Sequence, residues 1–274
     1  MRLRHFFRTV KPVPLRIATW NVNSIKSRLE AACAWIKRAA PDVLCLQEIK
    51  CETGAFPAQA FEDLGYNVAV HGQKSYNGVA LLSKWPMDDI ITALPGDEAD
   101  AQARYIEGVV MANGAAVRVA SIYLPNGNPA DTEKYSYKLA WMARLKAHAR
   151  NLFQHEEALV LAGDYNVIPQ PEDVHNPAAW VDDALFKLET RSAFREIINL
   201  GFTEAFRAVD SSAKRYTFWD YQAGAWQKNN GLRIDHLLLS PEAAMRLIAC
   251  EIDKSPRGGE KPSDHTPIWA DLRI

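Results

Sequence analysis

Residues 105–124 read YIEGVVMANGAAVRVASIYL. Two apolar runs, YIEGVVMA and AAVRVASIYL, flank Asn113-Gly114. Asn-Gly between such runs is the strongest short hairpin signal, because the favoured two-residue turn needs positive φ at both positions. A hairpin excludes an all-parallel doubly wound sheet. Upstream, Leu15–Trp20 (LRIATW) reads as a strand that stops at Asn21. Leu29, Ala32, Cys33 and Ile36 then recur at helical spacing, on a helix ending before Pro41. Val43–Leu46 (VLCL) is a buried strand with Gln47-Glu48 at its end. Pro57 suits the first turn of a helix carrying Phe61 and Leu64, stopped by Gly65, and Asn77-Gly78 leads into the strand VALLS. Downstream, Asp131 can cap a long helix running to about Asn151, and ALVLAG (158–163) is a strand. A Pro-rich loop spans 169–177, and a helix ends near Leu200-Gly201. RIDHLLLS (233–240) and the segment through PIWADL (267–272) are the last strands. Helices interspersed throughout exclude a pure β-sandwich. Mixed sheets covered by helices, in one domain, remain.

Composition agrees. The chain has 274 residues, 48% apolar, 10% aromatic and 24% charged. Surface scaling puts roughly 73% of the unfolded surface inside on folding, enough for one large core or two modest ones. A disordered, collagen-like or coiled-coil protein is excluded. No apolar run approaches the ~20 residues of a membrane-spanning helix. With a net charge of −1, any phosphate-bearing partner must be held by local patches or a metal. Cys33, Cys45, Cys51 and Cys250 form no CxxC pair and read as reduced, mostly core thiols of a cytoplasmic protein. Residues 1–14 open with MRLRHFFRTVK, which carries Arg2, Arg4, Arg8 and Lys11 and no acid. Lacking the apolar stretch of about 7–15 residues that a secretory signal needs, they read as a floppy basic tail before a single domain over 15–274.

The chemistry sits where strands stop. Glu48 closes VLCLQE, Asp164 and Asn166 close ALVLAGDYN, and Asp264-His265 precede the terminal strand. If that strand runs antiparallel to ALVLAG, one strand's end and the other's start share a sheet edge. Asp164 and Asn166 face one way if extended backbone persists past Gly163. That gathers Glu48, Asp164, Asn166, Asp264 and His265 at one rim. Zinc prefers thiolates and several histidines, so this set suits it poorly. It suits Mg²⁺ or Mn²⁺, which take oxygen donors and keep waters for a phosphate. Any one of these residues alone is commonest as a cap or loop residue; the combination carries the reading. GxSxG, GxxxxGK[ST] and GxGxxG are absent, and HEEAL at His155 lacks the second histidine of a zinc-protease helix. Metal-assisted hydrolysis is the class still standing. A second region, KRYTFWDYQAGAWQKNNGLRIDH (214–236), sets Tyr216, Phe218, Trp219, Tyr221 and Trp226 beside Lys214, Arg215, Lys228 and Arg233. Aromatic faces can take a splayed-out nucleotide or sugar while cations meet phosphates, and the remaining aromatics belong in the core. The loop 253–265 adds Lys254, Arg257 and Lys261.

Seven motifs occur in order: WNVNS (20–24), LCLQEIK (44–50), the tyrosine of SIYLPNG (121–127), GDYN (163–166), YTFWDY (216–221), NNGLRIDH (229–236) and SDHTP (263–267). With them the chain, from about Leu15 to Ile274, resembles the exonuclease III family of abasic-site endonucleases, within the endonuclease/exonuclease/phosphatase superfamily. The resemblance implies an α/β (α+β) fold: a four-layer α–β–β–α sandwich of two mixed β-sheets face to face, with helices outside. It implies hydrolysis of the phosphodiester 5′ to an abasic site leaving a 3′-hydroxyl, with 3′→5′ exonuclease and 3′-end-cleaning activity on duplex DNA. By position, Glu48 resembles the principal metal ligand, with Asn21 and Asp264 close by; Asp164, Asn166 and His265 would hold a second metal if there are two. Asp164 resembles the group that orients or deprotonates water, and Asn166 the holder of that water or a phosphate oxygen. His265, oriented by Asp235, would stabilise charge on the phosphoryl oxygens, and Tyr123 would lie by the leaving oxygen. Asp164 and His265 both qualify as the base. Phe218 and Leu232 match the apolar pocket for a base-less sugar, with Trp219 packed behind. Asn23 and Arg233 complete the implied DNA-binding set. Mg²⁺ is the implied cofactor, replaceable by Mn²⁺, and the implied partner is duplex DNA with abasic or blocked 3′ ends, met by a monomer. Two alternatives are a phosphodiesterase for a phospholipid, inositol phosphate or RNA, and a non-catalytic nucleic-acid-binding module. The segment 216–226 and NNGLRIDH argue against the first. The retention of Glu48, Asp164, Asn166, Asp235, Asp264 and His265 argues against the second.

Overall fold

A computed structural model describes residues 14–274. Pro14 already opens the first strand; the rest of the expected tail lies outside the described residues. In chain order the strands are β1 (Pro14–Asn21), β2 (Val43–Gln47), β3 (Asn67–His71), β4 (Val79–Ser83), β5 (Met87–Thr92) and β6 (Tyr105–Ala112). They continue as β7 (Ala115–Tyr123), β8 (Ala158–Asp164), β9 (Thr203–Glu204), β10 (Asp235–Leu239), β11 (Leu247–Ile252) and β12 (Ile268–Arg273). The main helices are α1 (Ile25–Ala39), α2 (Ala58–Glu62), α3 (Glu133–Leu152) and α4 (Leu188–Ile198). Two six-stranded sheets result, ordered β11-β12-β1-β2-β4-β3 and β5-β6-β7-β8-β10-β9. In each sheet one central pair is parallel, β1 with β2 and β7 with β8; the other pairs are antiparallel. The parallel pairs are joined through α1 and α3, as parallel strands require a crossover.

Alternation along the strands builds the layers. Ile17, Val43, Cys45 and Leu81 face Val117, Val119, Val160 and Leu237 in a core between the sheets. The alternate residues Ala18, Leu44 and Leu46 pack outward on Trp35 and Ile36 of α1 and Phe61 of α2. On the other side Ala120, Ile122, Leu159 and Leu161 meet Trp141, Met142 and Leu145 of α3 and Phe194 of α4. The fold is the four-layer sandwich. VLCL is uninterrupted because β2 is covered on both faces, and each fully buried leucine or valine there contributes roughly 1.5–3 kcal/mol.

Three expectations change. The terminal strand β12 does not pair with ALVLAG: β12 lies in the first sheet beside β1 and β11, whereas ALVLAG is β8 of the second. The long helix α3 starts after Thr132, not Asp131, and the Thr132 hydroxyl turns back to donate to the Pro129 carbonyl. Finally, Arg233 leaves the DNA-binding set. It is 1% exposed, with Nε and Nη2 donating to the two Asp173 oxygens and Nη1 to Glu204. Its position just before β10 directs it into the protein, where it anchors the 169–187 loop through Asp173. Burial alone would raise the Glu204 carboxyl, but Arg233, His236 and the Arg207 N–H together hold it down at about 2.

Removing one partner of a buried pair strands the other, so Arg233→Met is expected to lower unfolding free energy by about 3–5 kcal/mol, read from the urea midpoint. The Glu204 share of that stability is present above the ordinary glutamate value and is lost as pH falls through about 2. A normal midpoint with weakened DNA affinity would return Arg233 to the DNA surface.

Candidate active site

The two parallel pairs decide what meets at the rim. Asn21 lies opposite Gln47 in register, so Asn21 and Glu48 leave the first sheet side by side. Tyr123 lies opposite Asp164 in the second sheet, and Asp235 enters β10 opposite Asp164 from the other side. His265 stands three residues before β12, which runs antiparallel to β1. The strand ends therefore converge across the sandwich, not along one sheet edge. GDYN carries glycine because a Cβ on Gly163 would lie 1.9 Å from the Ile122 carbonyl oxygen. Extended backbone stops at Asp164: Asn166 adopts φ 48 and its N–H bonds back to Asp164 Oδ1 at 2.9 Å. This Asx turn, not strand alternation, brings both side chains to the site. Asn23 (φ 44) and Glu48 (φ 50) are also left-handed, so strained backbone clusters here.

A cavity of about 250 Å³ holds Glu48, Tyr123, Asp164, Asn166, Asp264 and His265 on its polar side and Phe218, Leu232, Ile234 and Trp180 on its apolar side. Asn21 and Asp235 stand behind that wall, fully buried. The Asn21 amide nitrogen donates to Glu48 Oε1 at 2.8 Å and to Asp164 Oδ2 at 2.9 Å, while its oxygen accepts the Asn23 N–H. It holds the two carboxylates rather than offering a ligand oxygen. Burial would raise the Glu48 carboxyl, but the Asn21 amide and the Lys50 ammonium, 2.9 Å away, hold it below its ordinary value. Burial pushes Asp164 up to about 7, with Asp235 adding to it and His265, Asn21 and the Asn166 N–H opposing. Burial would lower His265, yet Asp235, bonded to Nδ1 at 2.9 Å, and Asp164, 3.7 Å from Nε2, lift it to about 10. Burial and the neighbouring Glu48 and Asp164 carboxylates raise the Tyr123 hydroxyl well above its ordinary value, so it stays protonated.

Glu48, Asp164 and His265 each place a ligand atom within 4.8 Å of the others. The two carboxylates supply hard oxygens suited to a hard divalent cation, with the His265 imidazole beside them. Asp264 borders the same cavity and accepts from Asn23 Nδ2 at 3.0 Å. Phe218 is fixed by bridges to Leu232 and His265, its ring edge-on to the imidazole at 5.0 Å. Trp219 is fully buried behind it, against Tyr216 and Trp226. Arg257 is buried too, donating to the Trp219 carbonyl, whereas Lys261 is exposed. The sequence reading missed Asn126, Asn128, Asp183, Trp180, Asp220 and Ile234, which also border the cavity. Asn126, Asp220 and Ile234 lie inside motifs already quoted, Asn126 three residues after Tyr123 and the other two next to a chosen residue. Trp180 and Asp183 come from a loop with no pattern of its own.

The pattern of the endonuclease/exonuclease/phosphatase family matches residues 18–265. The chain belongs to that family. It is 33% identical to exodeoxyribonuclease III of Haemophilus influenzae over 94% of this chain and 100% of that one. Among solved structures, an AP endonuclease from Archaeoglobus fulgidus superimposes with a TM-score of 0.89 at 38% identity, covering 95% of this chain and 100% of that one. The 3′ phosphatase NExo from Neisseria, bound to a product DNA hairpin, gives 0.91 at 36%, covering 95% and 100%. This family member is a hydrolase of the nuclease type, from a divalent-metal-dependent family, and its carboxylate cluster is where such an ion fits.

Asp235→Asn removes the largest of the carboxylate charges that hold His265 protonated. The imidazole is expected to titrate far below about 10, which histidine NMR across a pH series would read. A titration that does not move would mean that Asp235 only orients the ring.

Proposed function

We propose that this chain is a DNA-repair phosphodiesterase that hydrolyses the bond 5′ to an abasic site in duplex DNA, leaving a 3′-hydroxyl. The same site would digest 3′→5′ and clear blocked 3′ ends, with Mg²⁺ as the ion and Mn²⁺ able to replace it. The enzyme is read as a cytoplasmic monomer; no helix among the described residues is long and apolar enough to cross a membrane. One observation carries the reading: a cavity of about 250 Å³ combines an anion-handling wall with an apolar one of Phe218, Leu232 and Ile234. A deoxyribose lacking its base can fill that apolar side, whereas an intact nucleotide must first be unstacked.

When bound, the divalent ion supplies charge neutralisation at the scissile phosphate, and Glu48 and Asp164 would hold it, with Asp264 at the border. The protein's own groups do the rest. Asn21 fixes the two carboxylates against each other. Asp164 takes or orients the proton of the attacking water. The His265 imidazolium, held by Asp235, donates to a non-bridging phosphoryl oxygen as negative charge builds there. Tyr123, protonated and beside Glu48 and Asp164, is placed to donate to the departing 3′ oxygen. The Asn166 Nδ2 donates to the Leu124 carbonyl, which leaves its second N–H for a phosphate oxygen. Beside the cavity, Tyr221 is half exposed and its hydroxyl accepts from Asn23 and Arg28. Arg28 also lines a groove of about 620 Å³ with Lys26 and Lys261, where Glu30 and Glu260 offset two of the three positive charges.

A duplex oligonucleotide with one stable abasic analogue, labelled at its 5′ end, should be cut once, 5′ to the lesion, with Mg²⁺ and not with chelator. Laddering below that product reports the exonuclease. An intact strand under both conditions would transfer the assignment to another phosphodiester. Asp164→Asn should lower turnover at least about 100-fold with abasic DNA still bound. Phe218→Ala should weaken abasic cutting more than digestion of plain duplex DNA; equal losses would remove the sugar pocket.

A further inference from the structure

One charged side chain interrupts the apolar face of α3. Tyr135, Lys138, Met142, Leu145 and Ala149 follow one another at three- and four-residue spacing, and all are buried. Lys138 is 0% exposed. Among the described residues no carboxylate lies within ion-pair distance of it. Its ammonium donates instead to two backbone carbonyls, those of Asn126 at 3.0 Å and Asn166 at 2.5 Å.

Those carbonyls belong to separate segments. Asn126 lies in the loop after β7 and Asn166 in the turn after β8, and both side chains border the catalytic cavity. The side chains also meet, Asn126 Nδ2 donating to Asn166 Oδ1 at 3.0 Å. The chain is shaped around the lysine. At Gly127 (φ 87) a Cβ would come within 2.6 Å of Lys138 Cδ, which accounts for the glycine that follows Asn126. A methionine or leucine would fill this helix face without the cost of desolvating an ammonium. That cost is met where two carbonyls converge from the two segments that carry the amides.

We propose that Lys138 is a positioning residue for phosphodiester hydrolysis, clamping the Asn126 loop to the GDYN turn so that the Asn126–Asn166 amide pair is fixed at the substrate phosphate. The proposal rests on the hydrolytic site described above and is independent of whether the preferred substrate is abasic. Lys138 acts through the amides and does not touch substrate, so its removal affects the chemical step more than DNA binding.

The test compares Lys138→Met, Lys138→Arg, Asn126→Ala and the Lys138→Met/Asn126→Ala double variant, on duplex DNA with a plain 3′ end and on abasic duplex. Lys138→Met is expected to lower kcat about tenfold or more on each substrate that the wild type turns over, with KM within about threefold. Lys138→Arg, which can still reach two carbonyls, recovers most of the loss. The double variant falls less than about threefold below the worse single variant, because both changes act through one amide pair. Melting curves check that each variant is folded. Should the Met variant not fold, Lys138→Gln, shorter by one atom but still a donor, takes its place in the cycle. An unchanged kcat in the folded variant, or losses that multiply in the double variant, overturns the proposal. Wild-type enzyme that digests plain duplex but spares the abasic strand overturns the abasic reading alone.

Discussion

A single amide group joins the two sheets where the chemistry is. Asn21, the last residue of β1, donates from Nδ2 to Glu48 of the first sheet and to Asp164 of the second. Without that bridge two buried carboxylates would face each other across the sandwich, and like charges in a low-dielectric site repel strongly. Neighbouring buried polar groups stitch the sheets in the same way: Gln47 donates to Ser121, and Ser121 donates to the Leu46 carbonyl. The apolar core between the sheets fixes their separation. These few hydrogen bonds fix their register at the rim, because a buried polar group left unpaired is costly.

The electrostatics of the site follow from that closure. Three carboxylates, Glu48, Asp164 and Asp235, surround one imidazole in a region with little water, and each responds to what lies nearest. Asn21 and Lys50 keep Glu48 ionised, burial lifts Asp164 to about 7, and Asp235 and Asp164 keep His265 cationic. Groups whose proton affinities are pushed apart by their surroundings can act as acid, base and charge stabiliser at one pH. The apolar wall is built by Phe218, which bridges to Leu232 on one side and to His265 on the other. A sugar and its phosphate can thus be met by separate surfaces of one small cavity.

Polar and charged residues divide into those that face the cavity and those that brace it. Arg233 braces the 169–187 loop through Asp173, and Asn128 ties the same loop by donating to both Asp183 oxygens. Lys138 braces the Asn126 loop and the Asn166 turn from within α3. Such residues resemble substrate contacts in a one-dimensional reading, because sequence shows type and spacing but not direction.

The sequence by itself determined the class of fold, the helices and the central strands. Periodicity reports burial, and strands such as VLCL and ALVLAG are buried on both faces. The strands it did not announce, β3, β5, β9 and β11, are the four sheet edges. An edge pairs on one side only and keeps exposed residues, so MDDIIT of β5 shows no buried pattern. Ordered motifs likewise named most of the polar wall, since Glu48, Tyr123, Asp164, Asn166, Asp264 and His265 all lie where strands end or begin. Tertiary structure alone decided that these ends meet across two sheets, that Asn166 arrives by an Asx turn, and that Arg233 points inward. It alone brought Trp180, Asp183 and Lys138 to the site. Those outcomes depend on which sheet a strand joins and which way a side chain is driven by its burial, and both are settled by contacts between segments far apart in the chain.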